Sequence, residues 1–262
     1  MASPSDIWSA CDYAPTAARL RPVSTLVAAE LSRRTPSPAT VVDIGSGHGE
    51  GVAELLSRGY SVTAIEPTAR IRTIGQRLAL GATWLGTQGE ATGLEDSTFD
   101  ALTSTFGSMF CDPVAGPEEW ARILRPGGTL VMATWNHEGF LATMTDAMSE
   151  AVSPGSSTQT PPHMAWGVDD VAHQRLSPWF DHISIDHLDL DWSFESVEEG
   201  MQLYREGSPT HAWMADNAGA RREALWTALH DHLEAHADDS GRINSTTGYA
   251  LVTAQRRRGT GR

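Results

Sequence analysis

Lysine is missing from this 262-residue chain. All 19 basic residues are arginine, against 33 acidic ones, for a formal net charge of −14. A lysine base is therefore excluded, and any polyanion-binding surface would have to form against overall repulsion, which argues against nucleic acid as a partner. Cysteine is almost as scarce. Cys11 and Cys111 are too few for a disulfide framework, and no paired Cys/His spacing suggests zinc, so no metal is expected and a reducing compartment fits best. No run of about 18 apolar residues occurs. The start, Met1 to Asp6, lacks a basic segment followed by an apolar one, so the expected setting is cytoplasmic, away from membranes.

What is present reads as a folded α/β protein. From Ala39 to Ala133 short β-branched runs alternate with helical patterns, as in a parallel sheet built from βαβ units. Strands are expected at 40–44, 61–65, 100–105 and 128–134, with a weaker one near 82–85. Helices are expected at 50–57, 68–80 and 117–124, the last ended by the breaker Arg125-Pro126-Gly127-Gly128. An earlier helix, 13–34, carries Leu20, Val23, Val27 and Leu31 at helical spacing. Residues 139–152 read as a helix, 153–162 as a loop, and 192–236 as helices and turns. Late β-like runs at 183–192 and 249–255 could return to the sheet. The arginine-rich end, 256–262, reads as a solvated tail. This reading makes 1–262 a single domain: a helical segment (1–38), a core (39–136), a cap with acceptor-side elements (137–245), and a last strand and tail (246–262).

The chemistry concentrates where strands end. Val41-Val42-Asp43-Ile44 runs into Gly45-Ser46-Gly47-His48-Gly49 and a helix follows, so glycines sit where a strand turns tightly beneath a helix N-terminus and a ligand can approach the backbone. Dinucleotide enzymes use similar geometry with Gly-x-Gly-x-x-Gly spacing, which fails here because position 50 is Glu. The second strand ends in Glu66-Pro67, placing a carboxylate where ribose hydroxyls would lie. Gly89-Glu90-Ala91 follows the third strand, putting a carboxylate and a small residue beside a nucleoside base.

These segments, together with Leu124-Arg125-Pro126-Gly127-Gly128, resemble the class I S-adenosylmethionine (SAM)-dependent methyltransferases, in particular the branch similar to ubiquinone and menaquinone methyltransferases that includes many small-molecule enzymes. The resemblance covers about positions 39 to 136. It implies a Rossmann-like fold, a seven-stranded, mostly parallel sheet with helices on both faces and a late helical cap. It implies SAM as cofactor, held by Asp43, Gly45, Ser46, Gly47, Gly49, Glu66, Pro67, Glu90, Ala91, Thr105 and Phe106. By the same resemblance Asp43 would serve the methionyl amine, and the glycines would approach the methionine and ribose parts.

Methyl transfer from a sulfonium gains much of its rate from alignment, and a base is needed only when the acceptor carries a proton. His137, just after the fifth strand, and His163, in a proline-rich loop, are the catalytic candidates. Tyr13, Met109, Trp135, Phe140, Trp166, Tyr204 and His211 are candidates for the acceptor pocket. His230, His232 and His236 lie among acids at helical spacing and read as a solvated face. The expected activity is methylation of an O, N or C atom of a small, secondary-type metabolite, in a chain compatible with a homo-oligomer. The alternatives are a SAM-binding cyclase or pericyclase on the same fold, a nicotinamide-dependent oxidoreductase, and a non-catalytic binding module.

Overall fold

The computed structural model describes residues 7–155 and 160–258. Part of the expected loop at 153–162 and the end of the arginine-rich tail lie outside them. The chain divides into two compact units. The sheet unit comprises Leu20–Trp135, His163–Leu188 and Tyr249–Arg262; the helical unit comprises Met1–Arg19, Asn136–Pro162 and Asp189–Gly248.

In chain order the elements are α1 (Ala14–Arg34), β1 (Thr40–Ile44), α2 (Glu50–Ser57), β2 (Ser61–Ile65), α3 (Ala69–Leu78), β3 (Thr83–Leu85), β4 (Phe99–Thr105), α4 (Ala115–Ile123), β5 (Leu124–Glu138), α5 (Gly139–Val152), α6 (Asp169–Leu176), β6 (Phe180–Asp191), α7 (Val197–Glu206), α8 (Pro209–Asn217), α9 (Arg222–Ala235) and β7 (Thr246–Arg256). The seven strands form one sheet in the order β3-β2-β1-β4-β5-β7-β6. The chain lays β2 and β3 to one side of β1, then crosses to lay β4 on the other. β1 and its neighbours therefore sit at the switch point where open α/β sheets leave a crevice beyond the strand ends. The late runs return as β6 and β7, with β7 antiparallel to β5.

β1 is a run of β-branched residues and Val41, Val42 and Ile44 are at most 1% exposed, as a central strand covered on both faces requires. Parallel pairing aligns Val41 with Ala101 and Asp43 with Thr103, which brings the end of β1 against β4. Several boundaries differ from the sequence reading, and the largest difference is at β5. Arg125-Pro126-Gly127-Gly128 lies inside β5, which starts at Leu124. Leu124 pairs with Phe99 and Thr129 with Ala101, so the extra residues are absorbed as a bulge without ending the ladder.

Within the helical unit, α9 packs against α5, α7 and α8. Its residues Leu225, Leu229 and Leu233, spaced by four, are fully buried. Gly200 of α7 lets the backbones close up, since a Cβ there would meet the Leu233 side chain at 2.7 Å. The Ser196 Oγ caps α7 by accepting from the Glu199 amide at 3.1 Å, while Glu199 accepts from the Glu195 amide at 2.7 Å.

Candidate active site

The glycine turn follows β1 directly. Gly45, Gly47 and Gly49 have φ of 67°, 55° and 91°, values that L side chains rarely adopt. The Ser46 amide donates to the Ile65 carbonyl at 3.0 Å, tying the turn to the end of β2. Backbone also meets backbone here. A Cβ on Gly45 would lie 2.5 Å from the Gly107 Cα; one on Gly107 would lie 2.6 Å from the Gly45 Cα and 2.7 Å from the Ile44 oxygen. Ser104 stitches the same junction, its Oγ donating to the Ile44 carbonyl at 2.7 Å and accepting from the Ser108 amide at 2.8 Å. Sequence reasoning singled out Gly45 and missed Gly107, for which the signal was a glycine just past the end of β4.

Two buried carboxylates flank the turn. Asp43 is 5% exposed and its Oδ1 accepts from the Thr103 hydroxyl at 2.6 Å, the contact that the β1/β4 register dictates. Burial raises its pKa to about 6 against the opposing pull of hydrogen bonds from Thr103 and Ser46, and the nearby Glu66 charge adds to the rise. Glu66 is 7% exposed. Its Oε2 accepts from the Gly47 amide at 3.1 Å and its Oε1 from the Thr68 amide at 2.8 Å. Burial raises its pKa as well, opposed chiefly by these hydrogen bonds. Arg72 donates to the backbone oxygens of Glu66 and Pro67 at 2.6 and 3.1 Å, fixing the turn after β2.

After β3, the Gly89 carbonyl accepts from the Trp120 indole at 3.0 Å, and the half-buried Glu90 faces Cys111. Burial and the Glu90 charge push that thiol far above its ordinary range, which makes it an inert neighbour. Ala91 is exposed and Thr105 half-buried at the end of β4. Phe106 follows in the left-handed region with φ of 60°. Its ring stacks on Trp135 at 3.9 Å between centroids and meets Tyr249 edge-on at 6.1 Å.

The remaining candidates separate by unit. In the sheet unit, the His163 ring stacks on Phe110 at 5.5 Å. Met109 is 2% exposed, and Trp166, 1% exposed, packs beside Trp120 with the Arg175 guanidinium over its face at 4.6 Å. Packing accounts for both as core side chains. In the helical unit, His137 Nε2 lies 3.0 Å from Asp146 Oδ1. Tyr13 meets Trp8 edge-on at 5.4 Å. Phe140 is buried, with His232 and His236 edge-on at 4.8 and 5.2 Å.

Tyr204 lies on the buried face of α7, 1% exposed, and its hydroxyl accepts from the Trp192 indole at 2.8 Å. One expectation changes. His232 is not on a solvated face; it is half-buried, and desolvation, aided by His236, lowers its pKa to about 4. His211, in the first turn of the helix that follows Ser208, has its Nδ1 2.7 Å from the Ser208 Oγ.

Residues 42–132 match the family model described as a methyltransferase domain. That stretch, about a third of the chain, is what is similar to a methyltransferase domain. Over 98 residues, 37% of this chain and 39% of the relative, the match to an uncharacterised methyltransferase of Mycobacterium tuberculosis is 37% identical. The chain spans 60% of the length of an uncharacterised M. tuberculosis protein with which it is 28% identical over 167 residues, 62% of this chain. Among solved structures, a putative methyltransferase of Bacillus halodurans superposes with a TM-score of 0.57 at 14% identity, covering 88% of this chain and 98% of that one. The chain thus shares its overall fold with that structure.

Proposed function

We propose that the protein is a SAM-dependent methyltransferase acting on a small-molecule acceptor. The observation that carries this reading is the cradle at the end of β1, where Gly45 and Gly107 meet without side chains beside the buried carboxylate of Glu66. The Glu66 oxygens accept from the Gly47 and Thr68 amides, and a carboxylate has about four acceptor sites, so a vicinal diol fits the donors and acceptors on offer. Asp43 offers a carboxylate for the methionyl ammonium. Gly45, Ser46, Gly47 and Gly49 offer backbone to the methionine and ribose, Pro67 shapes the turn, and Glu90 and Ala91 border the base. Thr105 and Phe106 close the end of β4.

Bound SAM would supply a methyl group on a sulfonium. The chain's part is to hold and align it, and alignment is where much of the rate of such a displacement originates. His137 and His163 are the histidines offered for proton removal. Trp135, Phe140 and Tyr13 remain the aromatic side chains offered to the acceptor.

Calorimetry with SAM tests the reading. Wild type should bind, and Glu66→Ala should weaken binding on the order of 100-fold, the loss of two hydrogen bonds to a charged acceptor at about 1.5 kcal/mol each. No heat of binding with wild type, or equal affinity in the variant, would overturn it.

A further inference from the structure

Three histidines crowd the C-terminal end of α9, with His230 and His232 inside the helix and His236 as its C-cap residue. They do not share one setting. His230 is 49% exposed and lies 3.7 Å from Asp231 and 3.9 Å from Glu234, on a charged surface. His232 and His236 are four residues apart, which puts them on one face of the helix, one turn above the other. Their rings lie 4.3 Å apart between centroids, with planes inclined by 37°. Both belong to the helical unit, as does Phe140, whose ring meets each of them edge-on.

The hydrogen bonds decide which nitrogen of each ring is bare. His236 Nδ1 lies 2.8 Å from the His232 backbone oxygen, and a carbonyl can only accept, so Nδ1 carries the proton and Nε2 a lone pair. The His232 ring donates to the Phe140 backbone, while its Nε2 is buried and finds no hydrogen-bond partner among the described residues. The donating nitrogen is therefore Nδ1, and Nε2 is again the bare one. A buried polar atom without a partner calls for an explanation. Metal-ligating histidines characteristically donate their other ring nitrogen to a carbonyl or carboxylate, which fixes the tautomer and aims the lone pair. Both rings are held in that way.

Two imidazoles at i and i+4 on one helix face have the spacing that holds a zinc-type ion. The place suits a cation as well, because the C-terminal end of a helix carries partial negative charge and the chain's net charge of −14 has the same sign. His236 is exposed, so an ion enters from its side. Among the described residues no third His, Cys, Asp or Glu joins the pair, which makes the site an open one, unlike the closed cysteine sets that the sequence lacks.

We propose that His232 and His236 form a dihistidine site for a divalent transition-metal ion of the zinc, nickel or copper kind, with the two Nε2 atoms as protein ligands and water completing the shell. The ion bridges successive turns and so holds the last turn of α9. This stands apart from the transferase reading.

Calorimetry on the full, untagged chain with zinc ion alone tests it. Wild type should take up a single equivalent in the micromolar range. His232→Ala and His236→Ala should each weaken that uptake at least about 100-fold, since even an outer-shell partner is worth about 10–100-fold to a metal site. His230→Ala should leave it unchanged. Cupric ion supplies a direct view of the ligands: the electron paramagnetic resonance spectrum of wild type should carry splitting from two imidazole nitrogens, and His236→Ala should lose one of them. Because His236 is exposed, that variant keeps the test decisive even if His232→Ala fails to fold. No uptake by wild type, uptake in the millimolar range alone (an adventitious ion only), an unchanged copper spectrum in His236→Ala, or an equal loss in His230→Ala overturns the proposal. None of these measurements involves SAM, so their failure leaves the proposed transferase activity untouched.

Discussion

Under the proposed function, Asp43 carries a conflict between folding and binding. Its carboxylate is buried, and its pKa, raised from 3.8 to about 6, means that ionising it costs the folded state free energy at neutral pH. A shift of about two units is worth at most about 3 kcal/mol. Asp43→Asn, which can still accept from Thr103, should therefore raise the melting temperature of the ligand-free protein at pH 7. Under the proposed function it should also weaken SAM binding, because the amide cannot answer an ammonium. A thermal melt beside a binding isotherm checks both halves; a variant less stable than wild type contradicts the first. The acid at position 43 was legible in sequence because it precedes the glycines at a strand end. Its protonation behaviour was not, since that depends on Thr103, sixty residues away, and on how completely the folded chain buries the end of the strand.

At the scale of elements, β1, α2 and β2 were readable to the residue, because β-branched runs bounded by glycine leave little choice of period. β5 was not. Its first residues include Pro126 and two glycines, which read as an end, and only pairing with Phe99 reveals a bulge inside a continuing strand. The junction of β1 with the loop after β4 was also hidden, since nothing local to Gly107 says that Gly45 lies against it. With φ of −81°, Gly107 has an ordinary backbone, so the demand on it is purely steric. Gly107→Ala should cost about 2–3 kcal/mol, at the upper end for overpacking, because backbone on the far side has no rotamer to escape into. Denaturant unfolding measures it, and a loss within about 0.5 kcal/mol, the level of a surface change, would contradict the contact. The partner of Tyr204 was hidden for a related reason: the indole that donates to its hydroxyl comes from Trp192, just past the end of β6.

For the whole molecule, a half-buried histidine and a buried carboxylate act on stability with opposite sign as pH changes. His232, lowered from 6.5 to about 4, stays neutral in the fold, so its contribution to stability is complete above its unfolded value and is lost as pH falls through the interval. Asp43 has the opposite sign: its burial costs most above about pH 6, and the cost is relieved as pH falls toward 3.8. The two should partly cancel between pH 6.5 and 4. His232→Leu should tilt the stability profile toward gain on acidification relative to wild type, and Asp43→Asn should tilt it toward loss. Unfolding free energies across that range decide it; parallel profiles for all three proteins would show that neither group sets the slope.

The contact between Gly45 and Gly107 also bears on how such a protein changes over evolutionary time. At both positions every other amino acid brings an atom into space already held by main chain, so no gradual series of substitutions leads away from the present arrangement. Innovation is pushed elsewhere. The glycine junction is a fixed point, and variation has to accumulate in the parts of the chain that do not pass through it.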